Sequence, residues 1–321
     1  MSRLTQRSIF VLLLSALFLL GCSDNKPNPL RLGTNVWLGY EPLFLARSLG
    51  YLKNEDIRLV EFMSASEVIR AFTNQSLDAA ALTLDEALLL LERGADITVV
   101  LVHDISHGAD AILAKPDIKA MPSLMGKRIG VEGSALGAFT LARALELHHL
   151  ALEDIEIIQL EINEHEKAYK EELVDAVVTF EPVRTKLLNA GAHELFSSRE
   201  IPGEIVDVLV VCNCVLKQQQ GNIQKLINGW FEALEYLDKY PEDATQRMTA
   251  RLKMSPDQIL DSFSGLNLPN REENIRLITG SNPTLLSTAQ RLQKIMLANK
   301  LLKKNVPVDR LFKASPLGLI H

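Results

Sequence analysis

Leu30 to Leu52 reads LRLGTNVWLGYEPLFLARSLGYL, and this stretch sets the fold. Leu32–Trp37 is a short apolar run of strand length. Glu41-Pro42 then opens a helix over Pro42–Leu49, where proline at a first helical position loses no hydrogen bond. The same rhythm continues outward. Ile57–Phe62, Leu77–Leu82 and Ile97–Val102 read as further strands, with Ala65–Asn74 and Leu84–Arg93 as the helices between them. Ser64 with Glu67 and Thr83 with Glu86 fit capping boxes, and Gly94 stops the third helix. A β-α-β-α-β-α-β order predicts a parallel sheet with crossover helices.

A second unit repeats the pattern. Arg128–Val131 is a strand, and Gly133-Ser134-Ala135-Leu136-Gly137 opens a helix running to His149. Ile155–Leu160 and Val174–Thr179 are strands. Asn163 with Glu166 is expected to cap one helix, and Pro182–Asn189 forms the next. Two apolar runs, Ala109–Ala114 and Ile205–Val211, bracket this unit and read as paired strands crossing between the units. The chain beyond Val215 reads as helical throughout. The expected layout is an α/β fold of two lobes. Residues 30–112 form lobe one, 113–206 lobe two, and 207–321 return to lobe one. Two crossover strands let such lobes hinge, with a ligand between them beyond the strand ends.

Composition narrows the function. The 321 residues are 47 % apolar and 23 % charged, too apolar for a disordered chain. A net charge of −6 and a pI of about 5.7 give no electrostatic footprint for nucleic acid. The N-terminus is an address. Arg3 and Arg7 precede an apolar run, Ile9 to Leu20, too short to span a bilayer and fitting a secretory signal. It ends in Leu19-Leu20-Gly21-Cys22, which resembles a bacterial lipobox, so residues 1–21 are read as a signal peptide and Cys22 as the lipidated residue. Loss of Arg3 and Arg7 deepens the net charge from −6 to −8. Residues 22–29 read as a tether to a bilayer on the periplasmic side. Ser23 after the cysteine leans toward the outer membrane. Cys212 and Cys214 read as two small buried apolar side chains on one strand face, with a local disulfide as the alternative.

At this point a resemblance is visible. Trp37-Leu38-Gly39-Tyr40-Glu41-Pro42 through Ser48-Leu49-Gly50-Tyr51-Leu52 resembles the first βα unit of solute-binding proteins for nitrate, sulfonate, taurine and thiamine-pyrimidine precursors. Leu77-Asp78-Ala79-Ala80, Gly126-Lys127-Arg128-Ile129-Gly130-Val131 and Phe180-Glu181-Pro182 look like the same family. The resemblance covers roughly residues 30–240. It implies a type 2 periplasmic-binding-protein fold, a small-molecule ligand and an ABC permease as partner; a monomer without a cofactor is expected. One departure weighs against a sulfonate: no Arg falls in the loops that should line the cleft, the nearest being Arg184.

The expected ligand-binding residues are Trp37, Tyr40, Glu41, Ser64, Thr83, Asp85, Asp104, Ser134, Ala135, Glu181 and Asp207. Trp37 and Tyr40 suit stacking on a flat or cationic ligand. Ser64, Thr83 and Ser134 sit at helix starts, where hydroxyls and free N–H groups hold polar atoms or simply cap. Gly133 and Gly137 would admit a ligand close to the backbone. Glu41-Pro42 and Glu181-Pro182 place one carboxylate at a helix start in each lobe. With Asp85 and Asp207 they suit an amine or a protonated nitrogen heterocycle. Glu86 is explained as the capping partner of Thr83. His103, Asp104, His107 and Asp110 are metal-type residues, read as a polar crossover rather than a metal site. No nucleophile elbow, zinc motif or P-loop is present, so a transport protein is favoured over an enzyme. The alternatives are a lipoprotein that senses a ligand for a membrane regulator, and an enzyme of cofactor biosynthesis on the same fold.

Overall fold

The computed structural model describes residues 28–280 and 283–312. Cys22 and the leader lie outside them. Lobe one begins with strands β1 (Leu30–Thr34), β2 (Ile57–Glu61), β3 (Ala79–Thr83) and β4 (Ile97–Ser106). Helices α1 (Glu41–Ser48), α2 (Ala65–Thr73) and α3 (Leu84–Glu92) connect them. The local chemistry is as expected. Pro42 lies in the first turn of α1, Ser64 Oγ accepts from the Glu67 N–H at the start of α2, and Gly94 follows α3 with φ of 87°.

The chain then enters lobe two. Its strands are β5 (Asp110–Ala114), β6 (Arg128–Glu132), β7 (Glu156–Leu160), β8 (Ala176–Phe180) and β9 (His193–Ser197). Its helices are α4 (Ala135–Leu147), α5 (His165–Lys170) and α6 (Val183–Asn189). Strand β10 (Val206–Cys212) returns to lobe one, followed by α7 (Gln220–Lys239), α8 (Pro241–Leu252), α9 (Pro256–Phe263), β11 (Leu266–Asn267), α10 (Arg271–Ile278) and α11 (Thr284–Ala298).

The first sheet runs β11-β4-β10-β3-β1-β2 and the second β7-β6-β8-β5-β9. In each, one antiparallel strand is inserted among parallel ones: β10 between β3 and β4, and β5 between β8 and β9. This corrects the expectation that the two crossover runs pair with each other. An apolar run buried on both faces fits any central slot, so the sequence does not name its neighbours. The change of sheet falls at Gly108, and β5 lies wholly in the second sheet. The two crossovers are tied side by side, with Ser106 Oγ 2.8 Å from Ser198 Oγ and the Gly108 N–H donating to Ser198 Oγ.

Three local readings change. The helix after β7 starts over Ile162–Glu164, with the Glu164 carboxylate accepting from the Glu161 N–H, so Asn163 and Glu166 do not cap it. The C-terminal part is not wholly helical, since β11 adds to the outer edge of β4. Strand β10 stops at Cys212, where the Asn213 amide group bonds Asp96 and turns the chain. There Cys212 and Cys214 form a disulfide, not two thiols on one strand face. No helix among the described residues is long and apolar enough to cross a membrane.

Candidate functional site

The cross-strand register builds the floor of the site. Asp207 on β10 lies opposite Asp104 on β4 and opposite Thr83 on β3. All three sit at the strand ends next to the crossovers and are at most 3 % exposed. Like-charged residues placed opposite each other are unfavourable, so each carboxyl needs a donor or a proton. Two aromatic side chains from the turn after β1 supply donors. Trp37 Nε1 donates to Asp104 Oδ2 at 3.0 Å, and the Tyr40 hydroxyl donates to Asp207 Oδ1 at 2.5 Å. The turn can bring them there because residue 39 is glycine. A Cβ on Gly39 would fall 1.9 Å from Asp104 Oδ2 and 2.4 Å from Trp37 Nε1.

Above this floor lies a cavity of about 20 Å³, walled by both lobes. That is room for about one water. Lobe one contributes Asn35, Trp37, Tyr40, Thr83, Glu86 and Asp207; lobe two contributes Glu132, Leu136 and Phe180. The lobes touch here: the Trp37 and Phe180 rings meet edge to face at 5.5 Å, and Ser66 Oγ donates to the Gly133 carbonyl.

The electrostatics are one-sided. Glu86 Oε1 and Glu132 Oε1 are buried without a hydrogen-bond donor, and Asp207 Oδ2 has no partner but the facing Asp104 carboxyl. No Lys or Arg is among the cavity-lining residues. Burial pushes Glu132 up to about 7, and Asp104 up to about 8 with Asp110 adding repulsion. Burial and the Asp104 charge push Asp207 well above the carboxylate range, and burial with Asp85 does the same to Glu86. Just behind, burial holds Asp85 at about 6 and Asp110 at about 7. A pocket of this kind favours a guest that donates hydrogen bonds or carries positive charge.

The structure sorts the expected residues. Trp37, Tyr40, Thr83 and Asp207 line the cavity, and Asp104 holds Trp37 from behind. Ser64 is used by its cap, and Ser134 donates to Glu132 Oε2 while accepting from the Gly137 N–H. Asp85 and Ala135 lie near the cavity without lining it. Glu41 points the other way, to Arg251 Nε at 3.0 Å, with its carboxyl raised by burial to about 7. Glu181 is held by Arg184 Nη1 and by the Thr185 hydroxyl and N–H. Both Glu-Pro carboxylates are therefore engaged outside the cavity. The space beside Gly137 is filled by the Glu132 carbonyl, which a Cβ would approach to 2.7 Å. Within the second lobe's loops the lining side chains are Glu132, Leu136 and Phe180 rather than Ser134, Ala135 and Glu181. Glu86 both caps and lines: Oε2 accepts from the Thr83 N–H at 3.1 Å while Oε1 stays free. His103 turns away from Asp104 into the lobe-one core. It sits between Tyr40 and Trp230, where burial lowers it to about 3 and keeps it neutral.

A family model described as "NMT1-like family" matches residues 23–253. No curated protein matches the chain. Among solved structures, the alkanesulfonate-binding protein SsuA from Xanthomonas axonopodis pv. citri, bound to MOPS, is similar with a TM-score of 0.74 and 19 % identity. That match covers 90 % of this chain and 99 % of that one. The periplasmic aliphatic sulphonate binding protein SsuA from Escherichia coli follows at 0.72 and 19 %, over 92 % and 99 %. The desulfurization enzyme DSZB is similar at 0.64 and 16 %, over 91 % and 99 %. The fold is the type 2 periplasmic-binding-protein fold, which carries both binding proteins and an enzyme, so it does not by itself decide function.

Proposed function

Starting from the fact that the chain belongs to the NMT1-like family, we propose that it is the substrate-binding component of an ABC-type importer, anchored by a lipid on Cys22. It captures a small nitrogen-rich ligand, an amine or a protonated heterocycle such as an aminopyrimidine, and presents it to a membrane permease. One observation carries the choice of ligand. The cavity between the lobes is lined by the carboxyl oxygens of three buried residues, Glu86, Glu132 and Asp207, and by no Lys or Arg. A sulfonate or nitrate placed there would meet no cation and would have to keep the surrounding carboxyls protonated. A cationic nitrogen would satisfy those oxygens and lower the carboxyl pKa values as it enters.

The cavity is smaller than such a ligand, so capture requires the lobes to part about the Ser106–Ser198 crossovers and close again. Ligand contacts from both lobes then favour the closed state. Calorimetry on the purified protein with aminopyrimidines, aliphatic amines, taurine and alkanesulfonates tests the reading. Binding of a nitrogen base, with a change in Trp37 fluorescence, is expected. Tight binding of taurine or an alkanesulfonate, lost in Asp207→Asn, with none of the bases, would overturn it.

A further inference from the structure

We propose that a second ligand site, for a compact organic anion, lies on the flank of the cleft where both lobes meet the end of α8. A pocket of about 180 Å³ opens there. A cavity of roughly 150 Å³ admits a benzene ring. Its apolar wall comes from three places: Met63 of lobe one, Val183 of lobe two, and Leu252 of α8. Met63 is 55 % exposed, a large apolar side chain with one face uncovered. Three cations complete the lining, Lys186, Arg251 and Lys253, and no carboxylate joins them.

The charges are not equivalent. Arg251 is spent on Glu41 and Glu61 and lies over the Phe44 ring. Lys186 and Lys253 make no ion pair among the described residues. The carboxylates nearest Lys186 are already used, Glu166 by Lys170 and Glu181 by Arg184 and Thr185. Burial lowers the Lys186 pKa, and Lys253 repels it while Glu166 and Glu181 attract it from a distance. Two unpaired ammonium groups beside an apolar wall call for an anionic head on a small apolar body, such as an aryl sulfonate or carboxylate. This is the opposite charge to the guest of the central cavity. Because the walls come from both lobes, an anion there would hold them together and strengthen cleft binding by the same factor that cleft binding strengthens its own.

Calorimetry with benzenesulfonate and benzoate tests the site, with benzenesulfonamide as the neutral shape control and sulfate as the head without a body. Benzenesulfonate is expected to bind, benzenesulfonamide not to, and sulfate to bind more weakly. Lys186→Gln should weaken benzenesulfonate by about tenfold, Lys186→Gln with Lys253→Gln should abolish it, and Lys186→Arg should retain it. Asp207→Asn should leave it unchanged, which separates failure here from failure of the central site. Unaltered affinity in the double lysine variant, no binding at millimolar concentration, or sulfate binding as tightly as benzenesulfonate would overturn the proposal.

Discussion

The two lobes are built on one plan and finished differently. In lobe one, Arg31 donates through its backbone N–H and Nε to Asp78 Oδ2, through Nη2 to Asp78 Oδ1, and to the Gln75 carbonyl. In lobe two, Arg128 repeats each bond with Asp175 and the Glu172 carbonyl, at the same sequence separation of 47. The offset that carries Arg31 to Arg128 also carries Asn35 to Glu132 and Thr83 to Phe180, and all four of these line the cavity. The scaffold positions are fixed by backbone geometry and keep their chemistry. The strand-end positions face the guest and have diverged, so that a polar amide stands opposite a carboxylate and a hydroxyl opposite a phenyl ring. Lobe one carries most of the charge; lobe two supplies one carboxylate and an apolar lid.

The largest effects should come from lobe one. Asp207→Asn removes a carboxyl that a cationic ligand would ionise and is expected to cost about 10–100-fold in affinity for such a ligand. Phe180→Leu, on the lid, should cost only about three- to tenfold. Titration of both variants against one ligand checks the ratio. Equal losses would mean that the lobes share the work evenly. Gly39→Ala should destabilise the fold by about 1–3 kcal/mol, because its Cβ drives Trp37 away from Asp104. Denaturant melts at pH 7 measure this.

The alternation of strands and helices was legible because periodicity and caps are local. Ser64, Ser134, Pro42 and Gly94 mark the helix ends within a residue or two. What failed depends on distant partners. Glu41 looked like a cleft residue from its place before Pro42, but the partner that turns it away, Arg251, is 210 residues on. Glu86 looked fully used by its cap, and only the packed structure shows a second oxygen free. Glu132 and Phe180 lie in the second lobe's strand-end loops, and the sequence carries a finer signal for them. The repeated Arg and Asp spacing aligns the lobes, and the alignment points from Asn35 to Glu132 and from Thr83 to Phe180.

The next effect in size separates the lobes by pH. Carboxyls raised in the folded state hold a proton that the unfolded chain has lost, so stability falls as pH rises from about 4, the unfolded value, through the folded values. With Glu132 at about 7 and Asp104 at about 8, the melting temperature of the free protein should fall from pH 5 to pH 8. Asp104→Asn with Asp207→Asn should flatten part of that slope and Glu132→Gln a smaller part, since Glu41, Asp85, Glu86 and Asp110 are raised as well.

The smallest effect has the opposite sign and belongs to the shared scaffold. Arg128 beside Asp175 holds that carboxyl below its ordinary range. A depressed carboxyl stabilises above its unfolded pKa of about 4, and the gain disappears as pH falls through the folded value. Asp175→Asn should therefore lower the melting temperature at pH 7, by an amount that shrinks as pH falls below about 4, whereas the cleft variants act between pH 5 and 8. The pair is partly solvated, with side chains 38 % and 21 % exposed, so the change should be small. Asp78→Asn, whose carboxylate is 11 % exposed, should cost more at pH 7. Thermal melts of both variants across pH decide it. If Asp175→Asn matched Asp78→Asn, the two clamps would be equal in energy as well as in geometry. The difference between the lobes would then lie wholly at the strand ends that face the ligand.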